Sequence, residues 1–153
     1  MPETALKEMP PRLVQFLLGG QICVVATIDE QGSPQTSLMT WVVARNPHVL
    51  TLAVDVRSRS LTAMRVNPRV AVEVLGDDLC YGLRGTAVIE KEIMSSTPFP
   101  CTLVAMHVEE VRDHGAAGVS FVGPRYSFQP GKEHRGAVED AIFRELKGPP
   151  PTI

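Results

Sequence analysis

"ICVVATIDEQGSPQTSLMTWVVA", residues 22–44, decides the fold. Ile22 to Ile28 is a β-branched, apolar run, "DEQGSP" is a cluster of turn formers, and residues 35–44 read as a second strand. Two extended runs joined by so short a turn form a hairpin and lie antiparallel. Parallel strands would need a crossover of roughly a dozen residues or more, usually a helix. A doubly wound α/β fold is therefore excluded at the first pair of strands.

The flanks extend the same pattern. Upstream, "PPRLVQFLLGG" predicts a helix opened by Pro11 and stopped by Gly19-Gly20, with Leu13, Phe16, Leu17 and Gly20 at helical spacing. Downstream, "RNPH" is a turn and "VLTLAVDV" a third strand that completes a meander. "VRSRSLTAMRVNPRVAV", residues 56–72, holds a short helix that Asn67-Pro68 ends, since the residue before proline is pushed out of helical geometry. "RVAVEVLG" is a fourth strand and "LCYGLRGTAVIEKE" a fifth, its glycines marking a bulge or a close backbone approach. "MSSTPFP" is a loop, and "CTLVAMHVEEVRDHG" a long strand with Leu103, Ala105 and His107 on one side, Val104, Met106 and Val108 on the other. "VSFVGPRYSFQPG" reads as a short strand or ordered loop. "HRGAVEDAIFREL" predicts a terminal helix carrying Val138, Ile142 and Leu146 on one face, and "KGPPPTI" a frayed tail. The expected architecture is mainly β: a six-stranded antiparallel barrel with peripheral helices, one domain over residues 1–153.

The chain has 153 residues, 44% hydrophobic and 21% charged, which suits one globular core. Its formal net charge of −2 disfavours nucleic acid, whose phosphate backbone requires a basic surface. Three scattered cysteines, Cys23, Cys80 and Cys101, form no Cys-x-x-Cys pair and point to reduced thiols. The acidic, proline-containing start is unlike a signal peptide, and the apolar runs are too short for a membrane span. A soluble, cytoplasmic protein without membrane or nucleic-acid partners is expected. His48, His107, His114 and His134 show no metal-ligand spacing, so no metal ligand is assigned. Neither a Ser/His/Asp nor a Cys/His set emerges, and no catalytic side chain is assigned.

The helix mouth is the chemically suggestive feature. Arg57, Ser58, Arg59 and Ser60 stand where a helix presents unpaired N–H groups and the positive end of its dipole, an arrangement that attracts anions. Guanidinium forks and hydroxyls suit phosphate oxygens. Read alone, the same residues describe a serine cap worth about 1 kcal/mol flanked by solvated arginines.

Taken in order, "ICVVATIDEQGSPQTSLMTWVV", "VLTLAVDVRSRSLTAMRVNPRVAV" and "GLRGTAVI" resemble the pyridoxamine 5′-phosphate oxidase-like, FMN-binding split-barrel superfamily, over roughly residues 13–92. The resemblance implies a homodimer whose cofactor groove lies between subunits, and an FMN-dependent oxidoreductase acting on a small molecule. It places the phosphate at Ser58 and Arg59, with Ser60 where the family usually has lysine and Arg57 one step earlier as its substitute. It places the flavin ring along Ser37, Leu38, Met39 and Thr40, beside Val54, which stands where a threonine or serine is frequent. Cys80 and Tyr81 align with the region that approaches the flavin from the partner subunit. Relatives of this fold bind the deazaflavin F420 or haem, and small stress-response members resemble non-catalytic ligand-binding modules, so these remain alternatives. Residues 93–153 lack the arginine-rich end of true pyridoxamine phosphate oxidases, which argues against that substrate. Trp41 is assigned to core or dimer packing, Arg65 to a surface or dimer contact, and Cys23 and Cys101 to the core.

Overall fold

The structure is a computed structural model describing residues 5–149. The first residues of the acidic start and the end of the tail fall outside them. The elements run α1 (Pro11–Phe16), β1 (Cys23–Ile28), β2 (Pro34–Met39), β3 (Val42–Asn46), β4 (Val49–Asp55), α2 (Arg59–Val66), β5 (Arg69–Gly76), β6 (Leu79–Lys91), β7 (Cys101–Asp113) and α3 (Arg135–Lys147). All seven strands belong to one antiparallel sheet in the order β2-β1-β5-β6-β7-β4-β3.

One more strand is present than the sequence reading expects, and the reason is local. Residues 35–44 are not one strand but two, broken at Thr40 and Trp41. β2 pairs with β1, whereas β3 pairs with β4. The predicted three-strand meander is therefore two separate hairpins. Because β2 and β3 are the two edges of the sheet, the Thr40-Trp41 link carries the chain across the open seam. The barrel is split there, closed by covalent continuity rather than by a ladder.

The β1–β2 turn forms as its residues dictate. Asp29 Oδ1 accepts from the N–H groups of Gln31 and Ser33, both at 2.9 Å, and Gly32 takes the positive φ of 81° that the turn needs. Asn67 is extended at φ −133°, as expected before proline, and ends α2. On β6 the predicted irregularity lies between Arg84 and Gly85, where the register with β7 shifts. Gly85 is needed because a β-carbon there would run into the carbonyl oxygen of His107.

Two apolar clusters result. The barrel interior is filled by alternate residues of the strands, among them Val25, Val42, Leu50, Leu52, Val72, Leu83, Val104 and Met106, with Met9, Leu13 and Leu17 plugging one end. A second cluster lies outside the barrel, where Ile142 and Leu146 of α3 cover Val43, Ala53, Cys101 and Leu103. β4 and the first half of β7 are thus buried on both faces, and the alternation read along β7 corresponds to the two cores. Residues 114–134 form no strand. Among the described residues no helix is long and apolar enough to cross a membrane.

Candidate functional site

A groove of about 260 Å³ opens at the split. One wall is the end of β2, Ser37 to Thr40; the floor is Ala53, Val54 and Asp55 of β4; the far wall is Trp41 and Phe99; Ser58 and Ser60 close one end. The topology builds it. β2 pairs only with β1, so the N–H and C=O groups on its other edge have no strand partner, and they border the seam.

Trp41 and Phe99 stack with centroids 5.5 Å apart and planes 28° from parallel. Trp41 is held by a hydrogen bond from Nε1 to Glu139 Oε2 at 2.8 Å, and Tyr126 donates its hydroxyl to the other carboxylate oxygen at 2.8 Å. Burial, reinforced by the adjacent Glu139, pushes the Tyr126 hydroxyl pKa up, so it remains a donor. The C-terminal helix therefore positions an aromatic wall that lies far from it in sequence.

At the helix mouth Ser58 is the N-cap, its Oγ accepting from Leu61 N–H at 3.2 Å. The N–H groups of Arg59 and Ser60 have no acceptor among the described residues, leaving two orphan donors at the positive end of α2. Arg57 is tied to Asp55: its N–H, Nε and one terminal nitrogen reach that carboxylate at 2.8, 3.2 and 3.1 Å. Hydrogen bonds from Arg57 hold the Asp55 carboxyl below the usual range. Arg57 is thus engaged by Asp55. Arg59, exposed, has no acidic partner among the described residues. On the outer side, a cleft between Arg59 and the β1–β2 turn also presents Asp29 and Glu30.

Ser60, at the usual lysine position, is 2% exposed and lies 2.5 Å from Ser37 Oγ. Val54, 2% exposed, belongs to the barrel core. Leu38 is on the opposite face of β2 from Ser37 and Met39, with 67% of its surface exposed. Nine of the assigned residues, Ser37 to Thr40, Val54 and Arg57 to Ser60, thus lie at the groove or at the helix mouth beside it. Cys80 and Tyr81 do not line it within the chain. Tyr81 points into the barrel, where its hydroxyl accepts from Arg12 Nε at 3.0 Å, and Cys80 faces Glu73 on the outer side of β5 and β6. Asp55, Phe99, Glu139 and Tyr126 escape sequence reasoning. Only Asp55, two residues before Arg57, carried a local signal.

The fold and groove define a split β-barrel with an anion-receptive helix end at its seam. The chain belongs to the pyridoxamine 5′-phosphate oxidase family, which it matches over residues 9–115. No curated protein sequence matches it. Among solved structures it is similar to HupZ from Group A Streptococcus, with a TM-score of 0.61 and 17% identity, covering 78% of this chain and 100% of that one. It is also similar to HutZ, the haem storage protein from Vibrio cholerae, with a TM-score of 0.56, 15% identity and coverage of 71% and 96%. An F420 reductase aligns with a TM-score of 0.52, 16% identity and coverage of 63% and 93%. At these identities the likeness shows the fold alone.

Proposed function

We propose that this chain is an FMN-binding oxidoreductase that works as a homodimer. The observation that carries the reading is the groove along the free edge of β2, closed at one end by Ser58 and Ser60 of the α2 mouth, where the N–H groups of Arg59 and Ser60 are open and Arg59 lines the adjoining outer cleft. The residues present fit the group: Arg59, the two N–H groups and the Ser58 hydroxyl would hold the phosphate, and the edge of Ser37 to Thr40 would face the ring. When bound, FMN supplies the hydride and electron chemistry. The chain contributes orientation and a dry wall, Trp41 against Phe99. At about 260 Å³ the groove is smaller than the ~300–1,000 Å³ usual for small-molecule sites, which supports completion by a second subunit.

FMN is favoured over haem because no histidine lines the groove. F420 stands behind FMN because the donors at the helix mouth match a terminal phosphate. The absorption spectrum of the purified protein separates these: a flavin spectrum supports the reading, and a haem or F420 spectrum overturns the cofactor assignment. A fluorescence titration with FMN and riboflavin tests the site itself. FMN is expected to bind more tightly than riboflavin, and Arg59→Ala to weaken FMN about 10- to 100-fold, the loss of charge-assisted bonds, while leaving riboflavin unchanged. Asp55→Asn, which removes a negative charge and releases Arg57, is expected to tighten FMN. Equal affinity for FMN and riboflavin would sink the phosphate assignment.

A further inference from the structure

On the face of the sheet away from the barrel core, Glu73 of β5, Cys80 of β6 and His114 just after β7 bring a carboxylate oxygen, a thiol sulfur and an imidazole nitrogen within 4.8 Å of one another. We infer that these three side chains form a binding site for a divalent transition metal of the zinc class.

The geometry argues for a built site. Glu73 Oε2 is the hub, 3.3 Å from Cys80 Sγ and 2.7 Å from His114 Nδ1. A tetrahedral zinc ion with Zn–S near ~2.3 Å and Zn–N and Zn–O near ~2.0–2.2 Å separates its ligand atoms by roughly 3.2–3.6 Å. For the sulfur–oxygen pair the tetrahedral separation falls at the upper end of that range, so the 3.3 Å contact must open by a few tenths of an ångström, and the nitrogen–oxygen contact by about 0.6–0.8 Å, which the partly exposed His114 and Glu73 side chains permit. Three consecutive strands fix the backbone beneath. Glu73 is directly across from Gly82, and His114 N–H donates to Cys80 C=O at 2.8 Å.

Gly82 supplies the second observation. The imidazole lies over this bare position: a β-carbon on Gly82 would come within 3.1 Å of Nδ1 and 3.0 Å of Nε2, and still closer to the ring carbon between them. Any side chain there would push the ring away. The nearby cations, Arg84 and Arg112, pair with Glu110 on the same face.

Metal uptake would replace the thiol proton by a metal–sulfur bond and release that proton to solvent. His114, as an imidazole carrying its proton on Nε2, would coordinate through Nδ1. A dication held by thiolate, carboxylate and neutral imidazole has no net charge, and a water would fill the fourth position.

The test uses the full chain, stripped with a chelator and titrated with Zn²⁺ and Co²⁺. The expected result is one Zn²⁺ per chain, tighter as pH rises and accompanied by proton release, with a sulfur-to-metal charge-transfer band for Co²⁺. Cys80→Ser and His114→Ala should each lose at least about 100-fold in affinity. Gly82→Ala, which keeps all three ligands, should lose about 10-fold. His48→Ala, which removes the other histidine–carboxylate pair, with Glu8 at 3.1 Å, should change nothing. Failure of the wild type to retain Zn²⁺, absence of the charge-transfer band, or equal affinity in Cys80→Ser would each overturn the site. Because His114 is exposed, its variant remains informative should Cys80→Ser fold poorly.

Discussion

Ser60 shows how far one side chain can depart from a motif without losing a role. Its hydroxyl is turned beneath the helix onto Ser37, so α2 is latched to the edge strand β2 that borders the groove. Removing Ser37 leaves the buried Ser60 hydroxyl without its partner, at about 1 kcal/mol or more, whereas removing both is less costly than the sum. Ser60→Ala and Ser37→Ala are each expected to lower stability in urea denaturation, and the double variant to fall short of the sum by about 1 kcal/mol or more. Strict additivity would show that the 2.5 Å contact carries no coupling. At this scale the sequence was partly legible. Ser58 and Arg59 are where the helix mouth placed them, because capping chemistry is local. Arg57 is not free to replace a lysine, since its neighbour Asp55 claims it. Phe99 was unreadable: it meets Trp41 through a tertiary contact, and neither residue's surroundings signal it.

At the scale of elements, α3 is anchored through one carboxylate. Glu145 accepts from the N–H groups of Ser95 and Ser96, from Ser96 Oγ and from Lys91 Nζ, so the loop after β6 is fastened to the helix. Burial by itself would raise its pKa, but these donors outweigh it and hold the carboxyl at about 2, against an ordinary 4.5. Since the folded value lies below the unfolded one, the stabilisation is complete above about pH 4.5 and is lost as pH falls toward about 2. Its size is on the order of 3 kcal/mol. Glu145→Gln is therefore expected to melt below the wild type at pH 7, and the gap to close as the pH falls from about 5 to about 2. A gap that stays constant with pH would exclude this role. Helix α3 itself was legible, because Ile142 and Leu146 keep helical spacing and both are fully buried. The break of residues 35–44 into β2 and β3 was not. Gln35 to Ala44 reads as one extended run, and only the closing geometry of the sheet requires the chain to cross from one edge to the other at Thr40 and Trp41.

For the whole molecule, the outer face of β1 and β2 bears on the proposed dimer. Val24 and Leu38 are cross-strand partners, and they are 42% and 67% exposed, on the face away from the barrel core. Along this strand Ser37 and Met39 are half-buried and Leu38 is exposed, while all three border the groove. If the proposed dimer covers this face, one strand carries both the groove wall and the interface, and loss of the dimer must weaken the cofactor as well. Leu38→Glu introduces a charge onto an apolar pair at an exposed position, so it should leave the fold intact. It is expected to convert the dimer to a monomer in analytical ultracentrifugation and to lower FMN affinity in parallel, with both effects reversed at high protein concentration. Ser37→Ala, on the other face of the same strand, should leave the dimer intact. A wild-type chain that is monomeric at micromolar concentration yet binds FMN tightly would show that one subunit builds the whole site, despite the small volume of its groove.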